Sequence, residues 1–145
     1  MKTIITLTLF VASLLCNAQM ETTTNSKTEG HKITITVPTK SDDGKIIIGL
    51  YNEKENFMVT DPYKGTIGKI ENGKAVIVFE NIPEGMYAIS LFHDKNDNNI
   101  MDFSANKMPL EDYGMSNNVM VMGPPTWSDA KFEVTGKDLE MEIRM

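Results

Sequence analysis

The sequence predicts an all-β fold, a single antiparallel β-sandwich of about seven strands. Three observations carry that prediction. Apolar residues recur at period two through most of the chain, and no stretch keeps a helical period over the length of a helix. Turn chemistry separates these runs, as in "SDDG", "ENGK" and "TGKD". No repeat and no break in composition divides the part beyond the polar leader, so one domain is expected.

The elements follow in order. "ITITV" alternates Ile33, Ile35 and Val37 with Thr34 and Thr36, the pattern of a half-buried strand. "KIIIGLY" follows the Asp43-Gly44 turn signal and is apolar on both faces, which marks a central strand. Asn72-Gly73 is a strong hairpin signal and opens the strand "KAVIVFE", Lys74 to Glu80. "MYAISLFH" sets Tyr87, Ile89, Leu91 and His93 on one face. "AKFEV" points Phe132 and Val134 inward, and "DLEMEIRM" does the same with Leu139, Met141, Ile143 and Met145. Further strands are expected near residues 56–70 and 118–122. Burying each inward Leu, Ile or Phe contributes about 1.5–3 kcal/mol, so these residues can supply a core.

The N-terminus predicts export. "MKTIITLTLFVASLLCNAQ" has one positive charge at Lys2, an apolar run from Ile4 to Leu15, and the small residues Cys16 and Ala18. It reads as a signal peptide, residues 1–18, whose apolar run is shorter than a membrane span of about 20 residues. Acylation of Cys16 is the rival reading, but Leu15 stands where a lipid-attachment motif wants a small residue. Cleavage after Ala18 removes the sole cysteine, leaving neither disulfide nor thiol nucleophile. Residues 19–32 are a flexible polar leader and 33–145 the β-sandwich domain. Loss of Lys2 leaves 13 Lys and Arg against 20 Asp and Glu, a net charge of −7. With no basic cluster, nucleic acid is excluded as a partner, and no transmembrane segment is expected.

The segment "LFHDKNDNNIMDFSANK", Leu91 to Lys107, carries the candidate site. Counted from Asp94, side-chain oxygens fall at positions 1, 3, 5 and 9: Asp94, Asn96, Asn98 and Asp102. Calcium loops of the EF-hand kind use those positions and a main-chain carbonyl at 7, here Ile100, whose side chain is expected to pack. Alternation lets the chain wrap a sphere while Lys95 points away. Position 12 is Ala105, so the further carboxylate is expected from Glu111 or Asp112. With two neutral Asn donors, a weak Ca²⁺ site of about 10⁻⁴–10⁻³ M is expected. An Asn/Asp turn bonded to its own backbone is the competing reading.

Other candidates are weighed beside it. His93 is expected as a buried histidine that orients the loop; as a general base it would need Ser90, Ser104 or Ser116 and an acid. Methionine is abundant, 11 in the chain, and Met101, Met108, Met115, Met120 and Met122 follow the loop. Thioethers can hold Cu(I), but irregular spacing favours apolar packing. Trp127, Tyr113 and Tyr63 offer either a stacking surface or caps on the sandwich.

"FENIPEGMYAISLFHDKNDNNIMD", "MPLEDYGMSNN" and "GPPTWSDAKFEV" together resemble the bacterial domain-of-unknown-function 2141 family. The resemblance runs from Ile33 to the C-terminus. It implies an exported protein with a prealbumin-like or Ig-like sandwich, and "IPEGMYAISL" is also similar to a strand of carboxypeptidase-regulatory-like domains. Asp94, Asn96, Asn98 and Asp102 match the family's polar loop, and Glu111, Gly114, Ser116 and Asn117 its second motif. Asn99 stands where the family favours Gly, and Met115 where it favours Phe. The resemblance implies no activity.

The function expected is therefore an exported, non-catalytic binding or accessory module of the cell envelope with a calcium-stabilised loop. Its expected partner is an envelope protein or polymer. Two alternatives remain: a hydrolase of an envelope polymer, using a pair of carboxylates, and a Met/His copper-handling module.

Overall fold

Residues 30–120 and 123–145 are described in a computed structural model of the chain. The expected signal peptide and the leader up to residue 29 lie outside the described residues. Eight strands form: β1 (His31–Pro38), β2 (Lys45–Tyr51), β3 (Lys64–Glu71), β4 (Lys74–Ile82), β5 (Gly85–Asp94), β6 (Tyr113–Met115), β7 (Phe132–Val134) and β8 (Leu139–Glu142). The helical content described is three single turns, at Lys54–Asn56, Ser116–Asn118 and Trp127–Ala130 (α1). None of these is long and apolar enough to cross a membrane.

The all-β prediction holds, but the antiparallel sandwich of about seven strands does not. The eight strands make one mixed, curled sheet, a half-barrel, ordered β6-β5-β2-β3-β4-β1-β8, with β7 on the same edge of β5 as β6. Two features cause the difference. The β3–β4 hairpin keeps only the pairs Ile70↔Ala75 and Glu71↔Lys74, yet these join what would otherwise be two separate sheets. And β8, arriving from β7 after a short turn, lies parallel to β1, with Ile33 opposite Leu139 and Ile35 opposite Met141. Alternation along a strand reads the same in either direction, so sequence pattern cannot reveal this.

The predicted elements otherwise fall where their chemistry puts them. The Asn72-Gly73 turn has both residues at positive φ, the requirement of a tight two-residue hairpin. β2 is central, between β5 and β3. The strand expected near residues 56–70 is β3, shorter than that window. The strand expected near 118–122 does not form through residue 120. Asn117 and Asn118 there adopt positive φ, which short polar side chains tolerate and a strand does not; residues 121 and 122 lie outside the described residues.

The core fills the concave side of the sheet. Ile33, Ile35 and Val37 meet Ile46, Ile48 and Leu50, with Ile77, Phe79, Tyr87, Ile89, Leu91, Val134 and Ile143 around them. β8 behaves as its alternation predicts: Ile143 is buried and Leu139 and Met141 partly so, while Glu140, Glu142 and Arg144 face solvent. A second, smaller core of Phe57, Ala88, Met115 and Ala130, flanked by Tyr51 and Trp127, lies apart from the first. Met115 fills apolar space, as expected.

Candidate functional site

The convex face of β3, β2, β5 and β6 places the site. Register aligns its outward residues in rows. Ile67, Ile47, Phe92 and Tyr113 form one row across four strands, and Gly65, Gly49, Ser90 and Met115 the next. Toward one end, the Tyr51–Ala88 pair enters the small core. At the other, Lys45 pairs with Lys69 and Asp94, and Asp94 opens the polar loop.

Asp94 is the hub of that loop. It is fully buried at the end of β5, and its two oxygens accept the Asn98 N–H (3.1 Å) and the Asn99 N–H (2.9 Å). Lys45 Nζ lies 3.3 Å away. Burial alone raises the Asp94 carboxyl; the Asn99 N–H, the Lys45 ammonium and the Asn98 N–H outweigh it and hold the group below its ordinary value. Asn99 has φ of 66°, the left-handed conformation that suits the glycine of the resembled family and that Asn tolerates.

The other predicted residues gather around this hub. Asn96 and Asn98 donate their side-chain amides to one oxygen of Asp102, at 2.7 and 3.0 Å. Their own oxygens accept the N–H groups of Asn98 and Ile100. Glu111 is buried beneath the loop, where it accepts the N–H of Lys95 (3.1 Å) and of Asp102 (3.3 Å). It thus ties the loop's two ends together. Ile100 is 61 % exposed, so its side chain does not pack as expected. Lys95 points away, to Asp112 at 2.9 Å, and that ammonium is the leading cause of a lowered Asp112 carboxyl. Among the described residues, no three His, Cys, Asp or Glu side chains converge as a metal cluster. Any cation held here would rely on the Asn and main-chain oxygens as well as on carboxylates.

Lys45 is the residue that sequence reasoning missed. It bridges Asp94 and Asp97 (2.9 Å), and its ammonium is raised above its ordinary value chiefly by the Asp97 hydrogen bond. It relieves the repulsion among loop carboxylates without a metal. Its distance of 49 positions from Asp94 hides it, and only the β2–β5 register brings it there.

The remaining candidates do not assemble. His93 is fully buried on the core side, with Nε2 against the Asp43 carbonyl at 2.6 Å. Ser90 lies on the opposite face, Ser104 bonds the Met108 main chain, and buried Ser116 bonds the Ile89 N–H and the Ala130 carbonyl. Trp127 packs edge-on against Phe57, and Tyr63 lies by Tyr87, so these aromatics form no shared platform with Tyr113.

Between the small core and the polar loop runs an open groove of about 1370 Å³. The two outward rows make its floor. Met101, Phe103, Met108 and Pro109 from the polar loop's continuation border it on one side, and Tyr51, Met58 and Pro62 also line it. The signal was present in the sequence: β2 and β5 are apolar on both faces. An antiparallel strand with one wet face alternates, so Ile47 and Phe92 called for a cover.

No curated protein and no solved structure matches this chain. A family model described as "Uncharacterized protein conserved in bacteria" matches residues 21–142. The stretch includes the polar loop, the Glu111–Asn117 motif and most of the groove's floor and walls, and the chain belongs to that family, domain of unknown function 2141.

Proposed function

We propose that this chain is an exported, non-catalytic binding module of the bacterial envelope, with a loop that takes Ca²⁺. One observation supports the reading most: Asn96, Asn98 and Asp102 meet side chain to side chain while Asp94 anchors the loop from below. An Asn amide carries its oxygen and its NH₂ on the same carbon. Half a turn of Asn96 and Asn98 presents oxygens where the NH₂ groups now lie, at the cost of their bonds from the Asn98 and Ile100 N–H groups. With Asp94, Asp102 and the Ile100 carbonyl, the donors are all oxygen, as a hard cation requires. The two carboxylates, Asp94 and Asp102, formally balance the charge of a divalent ion, and the remaining donors are neutral.

The groove favours binding over hydrolysis. Among the described residues its lining includes no carboxylate, so these offer no acid pair to a glycosidic bond. The partner expected is a component of the envelope.

Thermal melts with calcium and with chelator test the metal. At a Kd of about 10⁻⁴ M and about 10⁻² M Ca²⁺, binding stabilises by roughly 2.7 kcal/mol. That raises Tm by several degrees for a domain of this size. Asp102→Ala should abolish the rise, and Lys95→Ala should keep it. Identical wild-type melts in both buffers, with no heat on calcium titration, would leave the loop as a self-bonded Asn/Asp turn.

A further inference from the structure

We propose that the groove on the convex face binds a long-chain fatty acid, the tail along the Ile67–Ile47–Phe92 row and the carboxylate at Lys107. This deepens the binding-module reading and does not depend on calcium, because the floor belongs to paired strands.

The floor determines the tail. Pro62 packs down onto Gly49 and Gly65, and Tyr51 onto Gly49, so the open trough along the sheet follows the outward row of Ile67, Ile47 and Phe92 beside them. Its lining is chiefly apolar, and Met101 and Met108 add side chains that adapt to an irregular hydrocarbon. At about 1370 Å³ the groove exceeds the usual 300–1,000 Å³ of a compact-ligand site, which suits an extended molecule. Charge determines the head. Among the described residues, Lys107 is the one charged residue in the lining, and it makes no ion pair. In a chain of net charge −6, a lone cation at the border of an apolar trough selects an anionic end group. The chain's own polar leader, "METTTNSKTEGHK", has a single apolar residue and does not match this lining.

Calorimetric titration of the purified protein with dodecanoate, dodecanol and dodecylamine tests the assignment, in chelator and again in calcium. Dodecanoate should bind in both buffers, about fivefold tighter than dodecanol, the range of a partly exposed ion pair. Lys107→Gln should erase that preference and keep the binding of dodecanol. Ile67→Glu replaces a residue that is 58 % exposed, so the fold should survive, and it should weaken dodecanoate at least tenfold. Val76→Glu, an exposed apolar site on β4 outside the groove, should leave binding unchanged. No dodecanoate binding in either buffer, equal binding by wild type and Ile67→Glu, or dodecylamine matching dodecanoate would each overturn the proposal. A wild-type dimer on sedimentation that Ile67→Glu splits would assign the groove to a second copy instead, and overturn it too. Loss of calcium binding alone would fail the metal reading and leave this one standing.

Discussion

Asp94 shows how one carboxylate can set a loop. Its oxygens accept two main-chain N–H groups and face the Lys45 ammonium, all in a buried position. Hydrogen bonds to a charged group contribute about 1.5–3 kcal/mol. Asp94→Asn keeps the shape but turns an NH₂ toward one of those N–H donors, so in chelator it should cost about 1–3 kcal/mol at neutral pH. The sign of the pH dependence follows from the lowered carboxyl. A group held below its unfolded value stabilises the fold above that value, and the contribution is lost as pH falls through the folded one. Wild type and Asp94→Asn should therefore differ most near neutral pH and converge in acid below the ordinary Asp range. Melts of both proteins across pH check this, and a gap that persists unchanged in strong acid would show that the carboxylate's charge is not what holds the loop. Neighbouring Gly44 serves the same loop. At φ of +67° it has no side chain to strike the Asp94 carbonyl and the Lys95 Cα. The Asp43-Gly44 turn signal was legible in the sequence, but its contact with a loop 50 positions away was not.

At the scale of elements, β8 offers the sharpest test. Ile143, which continues the strand with its N–H donated to the Thr36 carbonyl, is 1 % exposed, whereas Glu142 faces solvent. Ile143→Asp buries an unpaired carboxylate at several kcal/mol, a large part of a total stability of about 5–15 kcal/mol. Glu142→Lys should cost about 0.5 kcal/mol or less. Urea unfolding of the two variants measures both, and equal tolerance would mean the register of β8 on β1 is wrong. Alternation alone makes the inward face of β8 readable, as it does for β1. It cannot give the strand's direction, because a parallel and an antiparallel neighbour leave the same pattern on a single strand. β6 escapes for a different reason: three residues, one a glycine, are too few to show a period. In β3, Gly65 and Gly68 interrupt the alternation. Gly68 lies under Ile77, where an added Cβ would come within 2.6 Å of its side chain. The loop's residues were legible because their spacing is local; of the groove only the apolar outer faces of β2 and β5 left a signal, because its borders come from several separate segments.

The whole molecule depends on where the curled sheet meets itself. β6 and β8 are the two ends of the strand order, yet they come together. Gly114 of β6 lies so near the end of β8 that an added Cβ would stand 2.5 Å from the Arg144 carbonyl oxygen and 3.0 Å from the Ile143 side chain. Beside it Asn118 donates to the Glu142 carbonyl (2.7 Å) and accepts the Arg144 N–H (2.8 Å). This seam closes the mouth over the main core without a strand-to-strand ladder. It also sets one side of the groove, because Tyr113 precedes Gly114 on β6. Gly114→Ala places a methyl group against main chain that cannot rotate away, so it should destabilise by about 1–3 kcal/mol. Asn118→Ala removes two exposed hydrogen bonds and should cost about 1 kcal/mol. If both act by parting the same seam, the double variant should cost less than the sum, since an opened seam has little left to lose. Urea unfolding of the four proteins measures the coupling. A Gly114→Ala chain as stable as wild type would mean that the sheet's two edges stand apart in solution.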